Sequence, residues 1–153
     1  MNLSEIISPQ EVIPDLKSED KLSVLAELIK PLAKLDPDLD EDNLIRILLE
    51  REKLGSTGIG DGIAIPHGKV DNLQRLLISF GRSGKGIEFD SMDGRPAHLF
   101  FLLLAPESSA GFHLTALAKL SRLLKNQSFR QSLKEAPDAE AIYNLIVAQD
   151  ENG

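Results

Sequence analysis

The sequence lacks cysteine and tryptophan altogether, and only 5% of its 153 residues are aromatic. The absence of cysteine excludes disulfide bonds, zinc fingers, iron–sulfur clusters and thiol catalysis, and it is compatible with a cytoplasmic protein. Long apolar runs are missing too, since the longest, from Leu99 to Ala105, is far shorter than the roughly 20 residues that a membrane helix needs. The stretch MNLSEIISPQ at the N-terminus has no basic region followed by an apolar one, so we expect no signal peptide.

An excess of basic charge is also missing, because 24 acidic residues against 17 basic ones give a formal net charge of −7 at pH 7. Nucleic-acid binding needs a basic face that displaces counterions from phosphates, and an anionic membrane repels an acidic protein, so we expect neither partner. A basic protein partner would be attracted. The length and the ordinary composition predict a single domain over residues 1–153.

Apolar periodicity predicts strands that alternate with helices, and hence an α/β fold with helices on both faces of the sheet. We expect one helix after a cap at Ser18, which Pro31 ends or kinks, and a second helix after a turn and cap at residues 36–40. Leu44, Ile47, Leu48 and Leu54 are predicted to face inward from the second helix. Strands are expected near 11–13, 63–65, 75–80 and 97–105, a loop at 81–86, and further helices near 112–125, 128–135 and 138–148.

The segment from Gly55 to Gly68, GSTGIGDGIAIPHG, has five glycines, a density that lets the backbone approach a ligand or partner. Pro66 ends a short apolar strand and restricts the backbone just before His67, while Gly68 is expected to leave open space beside the imidazole. A neutral imidazole is a good nucleophile near pH 7 and forms a phosphoramidate with phosphorus. The residues alone leave two interpretations open, a reactive histidine and a structural one in a glycine-rich loop.

Motifs of rival chemistries are absent around this segment. Ile63 and Val70 occupy the positions where a P-loop requires glycine and Ser or Thr, and the glycine spacing does not match the dinucleotide fingerprint. Lys85 stands where the nucleophile elbow around Ser83 would need glycine. Nucleotide binding and serine hydrolysis therefore lose their support.

The other two histidines are weaker candidates on their own. His113 is expected at the start of a helix, with the core residue Leu117 one turn on. It either contributes to an anion site at the helix N-terminus or simply begins the helix. His98, beside Arg95 and Pro96, is interpreted as a solvated surface residue. The three histidines lack the i,i+4 spacing of a helical zinc pair, so we expect no metal site.

The run from Glu50 to Val70, EREKLGSTGIGDGIAIPHGKV, resembles the IIA domains of the fructose/mannitol class of the bacterial phosphoenolpyruvate-dependent phosphotransferase system (PTS EIIA type 2). Within that family it looks most like the stand-alone nitrogen-regulatory IIA proteins. The likeness continues to His113 and covers roughly residues 6 to 147. It implies a mixed, mostly parallel central sheet of about five strands, flanked by helices on both faces as in the mannitol IIA domain.

The resemblance also implies roles for three residues. His67 would be the phosphorylated residue, His113 would lie beside it and orient the site, and Arg51 would help to hold the phosphoryl group, which suits the charge and planar donor fork of arginine. The donor would be phospho-HPr or its nitrogen-branch counterpart in the cytoplasm. No cofactor and no metal are implied, because phosphoryl transfer between two imidazoles depends on positioning and positive donors.

Two outputs of this phosphotransferase component follow from the resemblance. A regulatory phosphoprotein would bind target proteins according to its phosphorylation state, whereas a transporter component would pass the group to a IIB domain that phosphorylates a fructose- or mannitol-type sugar. The chain ends at Gly153 with neither a IIB domain nor a membrane domain attached. We therefore expect the nitrogen-regulatory output rather than sugar transport.

Overall fold

The computed structural model describes residues 1–152 and contains six β-strands and five α-helices, with two 3₁₀ helices, Leu3–Glu5 and Pro9–Glu11, at its start. The strands are β1 (Val12–Ile13), β2 (Gly58–Gly60), β3 (Ile63–Ala64), β4 (His67–Val70), β5 (Leu77–Ile87) and β6 (Ala97–Pro106). The helices are α1 (Lys21–Leu35), α2 (Glu41–Lys53), α3 (Ala110–Leu124), α4 (Gln127–Glu135) and α5 (Ala139–Asn152). Among these residues, no helix is both long and apolar enough to cross a membrane.

The sheet has the order β1-β5-β6-β3-β2, and β4 also pairs with β6. The pairs β1–β5, β3–β6 and β4–β6 are parallel, whereas β5–β6 and β2–β3 are antiparallel. The predicted α/β class with a mixed, mostly parallel sheet is therefore confirmed, as is the short edge strand near residues 11–13. The sheet has six strands rather than about five because Pro66 interrupts the segment that pairs with β6, and so divides it into β3 and β4.

Helices cover both faces of the sheet, and β6 shows how the two cores divide. Its alternate side chains Leu99, Phe101 and Leu103 pack in a cluster with residues of α3, α4 and α5. Phe100, Leu102 and Leu104 point the other way and pack with residues of α1 and α2. Each fully buried Leu or Phe contributes about 1.5–3 kcal/mol, which makes this strand the centre of the fold, as its unbroken apolar sequence predicts.

β5 continues through residues 81–86, where a loop is predicted, so that prediction is wrong. Gly81 pairs with Phe100 and Arg82 with Leu99, before a register shift that leads to Ile87. Gly81 serves close packing here, because a Cβ at this position would lie 2.9 Å or less from side-chain atoms of Leu16 and Leu28. Glycine-rich sequence is therefore typical both of loops and of strands that other side chains approach closely on one face.

α1 differs from its prediction at both ends. Its N-cap is Asp20, whose carboxylate accepts the Ser23 backbone N–H at 2.8 Å, whereas Ser18 donates its hydroxyl to Glu27 at 2.6 Å. The helix also runs past Pro31 to Leu35. An interior proline costs about 3 kcal/mol, but the helix buries five large apolar side chains, each of which returns about 1.5–3 kcal/mol. The second helix begins after the predicted turn at residues 36–40, with Asp40 as its N-cap.

Candidate functional site

His67 opens β4 directly after the interruption of the sheet at Pro66. It lies opposite Leu103 of β6, and the Pro66 carbonyl accepts the Leu103 backbone N–H at 2.9 Å. The backbone in front of the imidazole is therefore held on the sheet, and the half-buried ring is presented from a rigid strand end, as predicted.

The two ring nitrogens of His67 have different partners. Nδ1 lies 2.7 Å from the carbonyl oxygen of Ile65, and the Nε–H of Arg51 donates to Nε2 at 3.3 Å. Because a carbonyl oxygen only accepts hydrogen bonds, Nδ1 carries the ring proton and Nε2 keeps its lone pair. Nε2 is therefore the nucleophilic nitrogen, and it faces the guanidinium group.

Arg51 reaches the imidazole from the last turn of α2. Its Nη1 donates to the Gly55 carbonyl at 2.9 Å, which holds the guanidinium group at a second point. The two bonds use two of the five N–H donors of the group, and the planar fork suits the oxygens of a phosphoryl group. A positive donor thus lies beside the nucleophile.

Gly68 allows α2 to pack this close to β4. The residue is buried, and a Cβ at this position would lie 2.7 Å from Cγ2 of Ile47 on α2. The expectation of open space beside His67 is therefore wrong, because the missing side chain makes room for the helix rather than for solvent. The glycine contributes to the site by letting the helix bring Arg51 to the imidazole.

His113 completes the cluster from the first turn of α3. Its ring is 6% exposed, and its centroid lies 5.3 Å from that of His67 at an interplanar angle of 89°. Among the described residues, the buried Nδ1 of His113 has no hydrogen-bond partner. The structure thus brings together the three residues that the sequence singled out, His67, Arg51 and His113.

Both imidazoles of the cluster favour the neutral form. Burial lowers the pKa of His67, and the positive charge of Arg51 acts in the same direction, while the hydrogen bond to Ile65 and the charge of Glu52 oppose the shift. Burial also lowers the pKa of His113, with smaller contributions from His67, Lys69 and Arg51. Near pH 7 the lone pair on His67 is therefore available for nucleophilic attack.

His98 lies apart from this cluster. It is near the start of β6, five positions before the partner of His67, a separation of roughly 16 Å at about 3.3 Å per residue. The predicted solvated surface histidine is wrong, because the ring is half-buried and its Nδ1 lies 2.9 Å from the Ser83 carbonyl. The ring fits there because Gly86 has no Cβ, which would lie 2.8 Å from Cε1 of His98.

Exposed apolar side chains surround the mouth of the site. His67 lines a surface depression of about 530 Å³ together with Leu54, Lys69 and Leu114. Leu54 is 84% exposed and Leu114 is 68% exposed. Phe112, two residues before Leu114, is 63% exposed. Leu54 was predicted to face inward, but α2 ends at Lys53, so Leu54 leaves the buried stripe of the helix.

Sequence reasoning missed a buried charge next to Arg51. The side chain of Glu52 is 5% exposed, and its carboxylate forms an ion pair with Lys21 at 3.1 Å and accepts hydrogen bonds from Thr57. A signal was present, since Glu52 continues the stripe of Leu44 and Leu48 at a spacing of four residues, where a helix faces its core. A charge at such a position needs a partner.

A neutral imidazole with a lone pair on Nε2, an adjacent guanidinium and a second imidazole can together take up and hold a phosphoryl group. Residues 5–149 match the family described as "Phosphoenolpyruvate-dependent sugar phosphotransferase system, EIIA 2". The chain belongs to this family. It is accordingly a component of a phosphotransferase system.

Two relatives show where the chain lies among PTS EIIA type-2 proteins. The nitrogen regulatory protein of Bradyrhizobium diazoefficiens is 42% identical over 146 residues, which are 95% of each chain. The fructose-specific EIIABC component of the PTS in Bacillus subtilis is 37% identical over 98% of this chain, which spans 24% of that longer protein. The chain thus resembles both a stand-alone regulatory protein and the IIA portion of a transporter.

Two solved structures support the fold. The nitrogen regulatory protein IIA-Ntr of Neisseria meningitidis superposes with a TM-score of 0.88 at 33% identity, covering 94% of this chain and 98% of that one. The mannitol IIA of Escherichia coli has a TM-score of 0.77 at 21% identity, with 92% and 98% covered. The predicted likeness to the mannitol IIA fold is confirmed.

Proposed function

We propose that this protein is a histidine phosphocarrier that accepts a phosphoryl group on Nε2 of His67 and acts as a nitrogen-regulatory IIA protein. The donor is phospho-HPr or its nitrogen-branch counterpart, and the protein acts in the cytoplasm. The observation that carries the proposal is that the two ring nitrogens of His67 have different partners. Nδ1 donates to the Ile65 carbonyl, whereas Nε2 faces Arg51.

Transfer on this geometry is an in-line displacement at phosphorus. The bond from phosphorus to the donor imidazole breaks as the bond to Nε2 forms, and the donor nitrogen keeps the electron pair. Arg51 neutralises charge on the phosphoryl oxygens, while the Ile65 carbonyl stabilises the Nδ1–H as the ring becomes positive. His113, whose ring lies edge to face with that of His67, orients the group.

The exposed apolar residues around His67 suit the transient contact with a phosphodonor protein. Leu54 and Leu114 offer exposed apolar area at the mouth of the site, where a partner has to exclude water from the reacting atoms. Lys69 is exposed in the same depression. A contact limited to a few exposed side chains allows the rapid release that a carrier needs.

The regulatory output is favoured by the relative that matches along the whole chain. The nitrogen regulatory protein of Bradyrhizobium diazoefficiens has both the higher identity and a matching length, whereas the fructose-specific relative is about four times longer than the matched region. We therefore propose that phosphorylation of His67 changes the binding of regulatory target proteins, and not that it supplies a sugar transporter.

Incubation with labelled phosphoenolpyruvate, enzyme I and HPr, or the nitrogen-branch counterparts of these two proteins, tests the phosphocarrier role. The parent protein and a His98→Ala variant should both retain the label, and His67→Ala should retain none. The His98 variant is the matched control because its imidazole lies apart from the cluster. Label retained on His67→Ala would refute the proposal.

A second step separates regulation from transport. The phosphorylated protein is mixed with purified fructose and mannitol IIB domains, and with HPr as the reference acceptor. Return of the label to HPr should be much faster than transfer to either IIB domain. Transfer to a IIB domain at a rate similar to that of the return to HPr would favour the transporter component instead.

A further inference from the structure

Glu52 presents a nearly buried carboxylate next to the guanidinium-bearing residue of the site. Its side chain is 5% exposed. Its Oε1 and Oε2 lie 3.2 Å and 3.3 Å from the Thr57 backbone nitrogen, which donates to them, and Oε2 also accepts the Thr57 hydroxyl. One side chain at the end of α2 thus binds both polar groups of a residue just before β2.

Lys21 of α1 forms an ion pair with this carboxylate. Its Nζ lies 3.1 Å from Oε1 of Glu52 and 3.0 Å from Oδ2 of Asp90, and it sits 4.7 Å from the centroid of the Phe89 ring. Burial opposes the charge on Lys21, but hydrogen bonds to Asp90 and Glu52 outweigh it and raise the pKa of the lysine. A buried carboxylate is tolerated when it is paired and hydrogen-bonded in this way.

Thr57 links the Glu52 carboxylate to the two residues that hydrogen-bond the imidazole of His67, Arg51 and Ile65. Only four residues, 54–57, lie between α2 and β2, and among them is Gly55, whose carbonyl accepts Nη1 of Arg51 at 2.9 Å. The Thr57 carbonyl also accepts the Ile65 backbone N–H at 2.9 Å. The carbonyl of that same Ile65 then accepts Nδ1–H of His67 at 2.7 Å.

We propose that Glu52 is a positioning residue for phosphoryl transfer. Its carboxylate holds Thr57 in place. Through the segment 54–57, this keeps the Gly55 carbonyl against the guanidinium of Arg51. Through the Thr57–Ile65 hydrogen bond, it keeps the Ile65 carbonyl against Nδ1 of His67, so that Nε2 is aligned for in-line attack beside the guanidinium. The inference rests on the proposed phosphocarrier function and concerns residues that do not themselves touch the phosphoryl group.

Two substitutions remove the connection in different ways. Glu52→Gln removes the charge, and Thr57→Val removes the hydroxyl from a side chain of nearly the same shape. Because a displacement of about 1 Å costs up to about 100-fold in rate, each should slow transfer from saturating phospho-HPr by about 10- to 100-fold, with little change in KM. Thr57→Ser, which restores the hydroxyl, and Glu41→Gln, which removes an exposed charge at the start of α2, should transfer at nearly the parent rate.

A double-variant cycle shows whether Glu52 acts through Arg51. In an Arg51→Ala background, Glu52→Gln should slow transfer by a much smaller factor than it does in the parent. In addition, the Nδ1–H proton resonance of His67 should shift in both Glu52→Gln and Thr57→Val, because its bond to Ile65 depends on the same connection.

The positioning role would be overturned if Glu52→Gln and Thr57→Val transferred at the parent rate. It would also be overturned if Glu52→Gln slowed transfer by the same factor in the parent and in the Arg51→Ala background. If circular dichroism shows that Glu52→Gln does not fold, the comparison of Thr57→Val with Thr57→Ser decides the question alone, with equal rates overturning the proposal. A parent that takes no label from phospho-HPr would instead contradict the phosphocarrier function itself, so the two failures are distinguishable.

Discussion

The Nε–H of Arg51 donates to Nε2 of His67 at 3.3 Å, although sixteen positions separate the two residues and they lie on different elements of the fold. The contact requires a lone pair on Nε2, so it selects the neutral imidazole with its proton on Nδ1. The guanidinium thereby occupies the position next to the nucleophile where an incoming phosphoryl oxygen needs a positive donor.

Replacing Arg51 should impair transfer more than folding. Arg51→Ala removes the donor beside Nε2, and the loss of one such donor costs about 100-fold or more in rate. Quench-flow measurement of label transfer from phospho-HPr checks the rate. Arg46→Ala is the matched control, because Arg46 lies on the same helix with an exposed ion pair to Glu50, and it should leave the rate unchanged. Equal rates for the two variants would contradict the role of Arg51.

His113 should assist transfer without being essential. His113→Ala should slow phosphorylation by about 10-fold, less than the roughly 100- to 10,000-fold that a general acid or base contributes, because the phosphoryl group loses an orienting ring but keeps Arg51. The phosphorylated state should still form, and its yield at long times, measured by label incorporation, should match that of the parent. Transfer at the parent rate would show that the proximity of the two rings has no consequence for the reaction.

The rate of phosphoryl transfer to His67 should fall in acid, below the ordinary pKa of histidine. Since burial lowers the pKa of His67 from 6.5, the reactive neutral form dominates at pH 7, and the rate should stay constant there and fall only as the pH drops below about 6.5. The unfolded chain binds this proton at a higher pH than the folded one, so the same acid range should also lower the free energy of unfolding. A titration of the His67 Hε1 resonance, followed beside the transfer rate, checks the midpoint. A midpoint above 6.5 would contradict this prediction.

Gly68 should be required for the approach of α2 to the site. Gly68→Ala places a Cβ 2.7 Å from Cγ2 of Ile47, and such overpacking costs about 1–3 kcal/mol of the free energy of unfolding. The helix has to move away from β4, so transfer should slow as well. Gly84→Ala is the control, since the added Cβ has no heavy atom of the described residues within 4 Å apart from its own chain neighbours. Denaturant unfolding of the two variants side by side checks the difference, and equal stability would contradict the close packing.

Strong periodicity made most elements of the fold predictable. The apolar run from Ala97 to Ala105 predicts a central strand, and β6 is covered on both faces. The strand at residues 81–86 was not predictable in the same way, because glycine marks both turns and close packing. Gly81 is a close-packing glycine, and this follows only from the positions of Leu16 and Leu28 in the folded chain.

The candidate site was predictable to a similar degree. The Pro-His-Gly sequence after a glycine-rich turn points to His67, and the family resemblance points to Arg51 and His113, all of which meet in the structure. Glu52 was missed because a charged residue at the end of a helix is usually solvated. The apolar stripe of α2 indicates that Glu52 faces the core, but its partners Lys21 and Thr57 come from other parts of the fold, so the pairing that allows its burial depends on tertiary contacts.

The most direct test of the account is to identify the phosphorylated nitrogen. In the protein labelled with ¹⁵N and phosphorylated by phospho-HPr, NMR coupling to ³¹P reports which ring nitrogen of which histidine carries the group. The account predicts coupling at Nε2 of His67, with Nδ1 still protonated against the Ile65 carbonyl. Coupling at Nδ1 of His67, or at either nitrogen of His113, would contradict it.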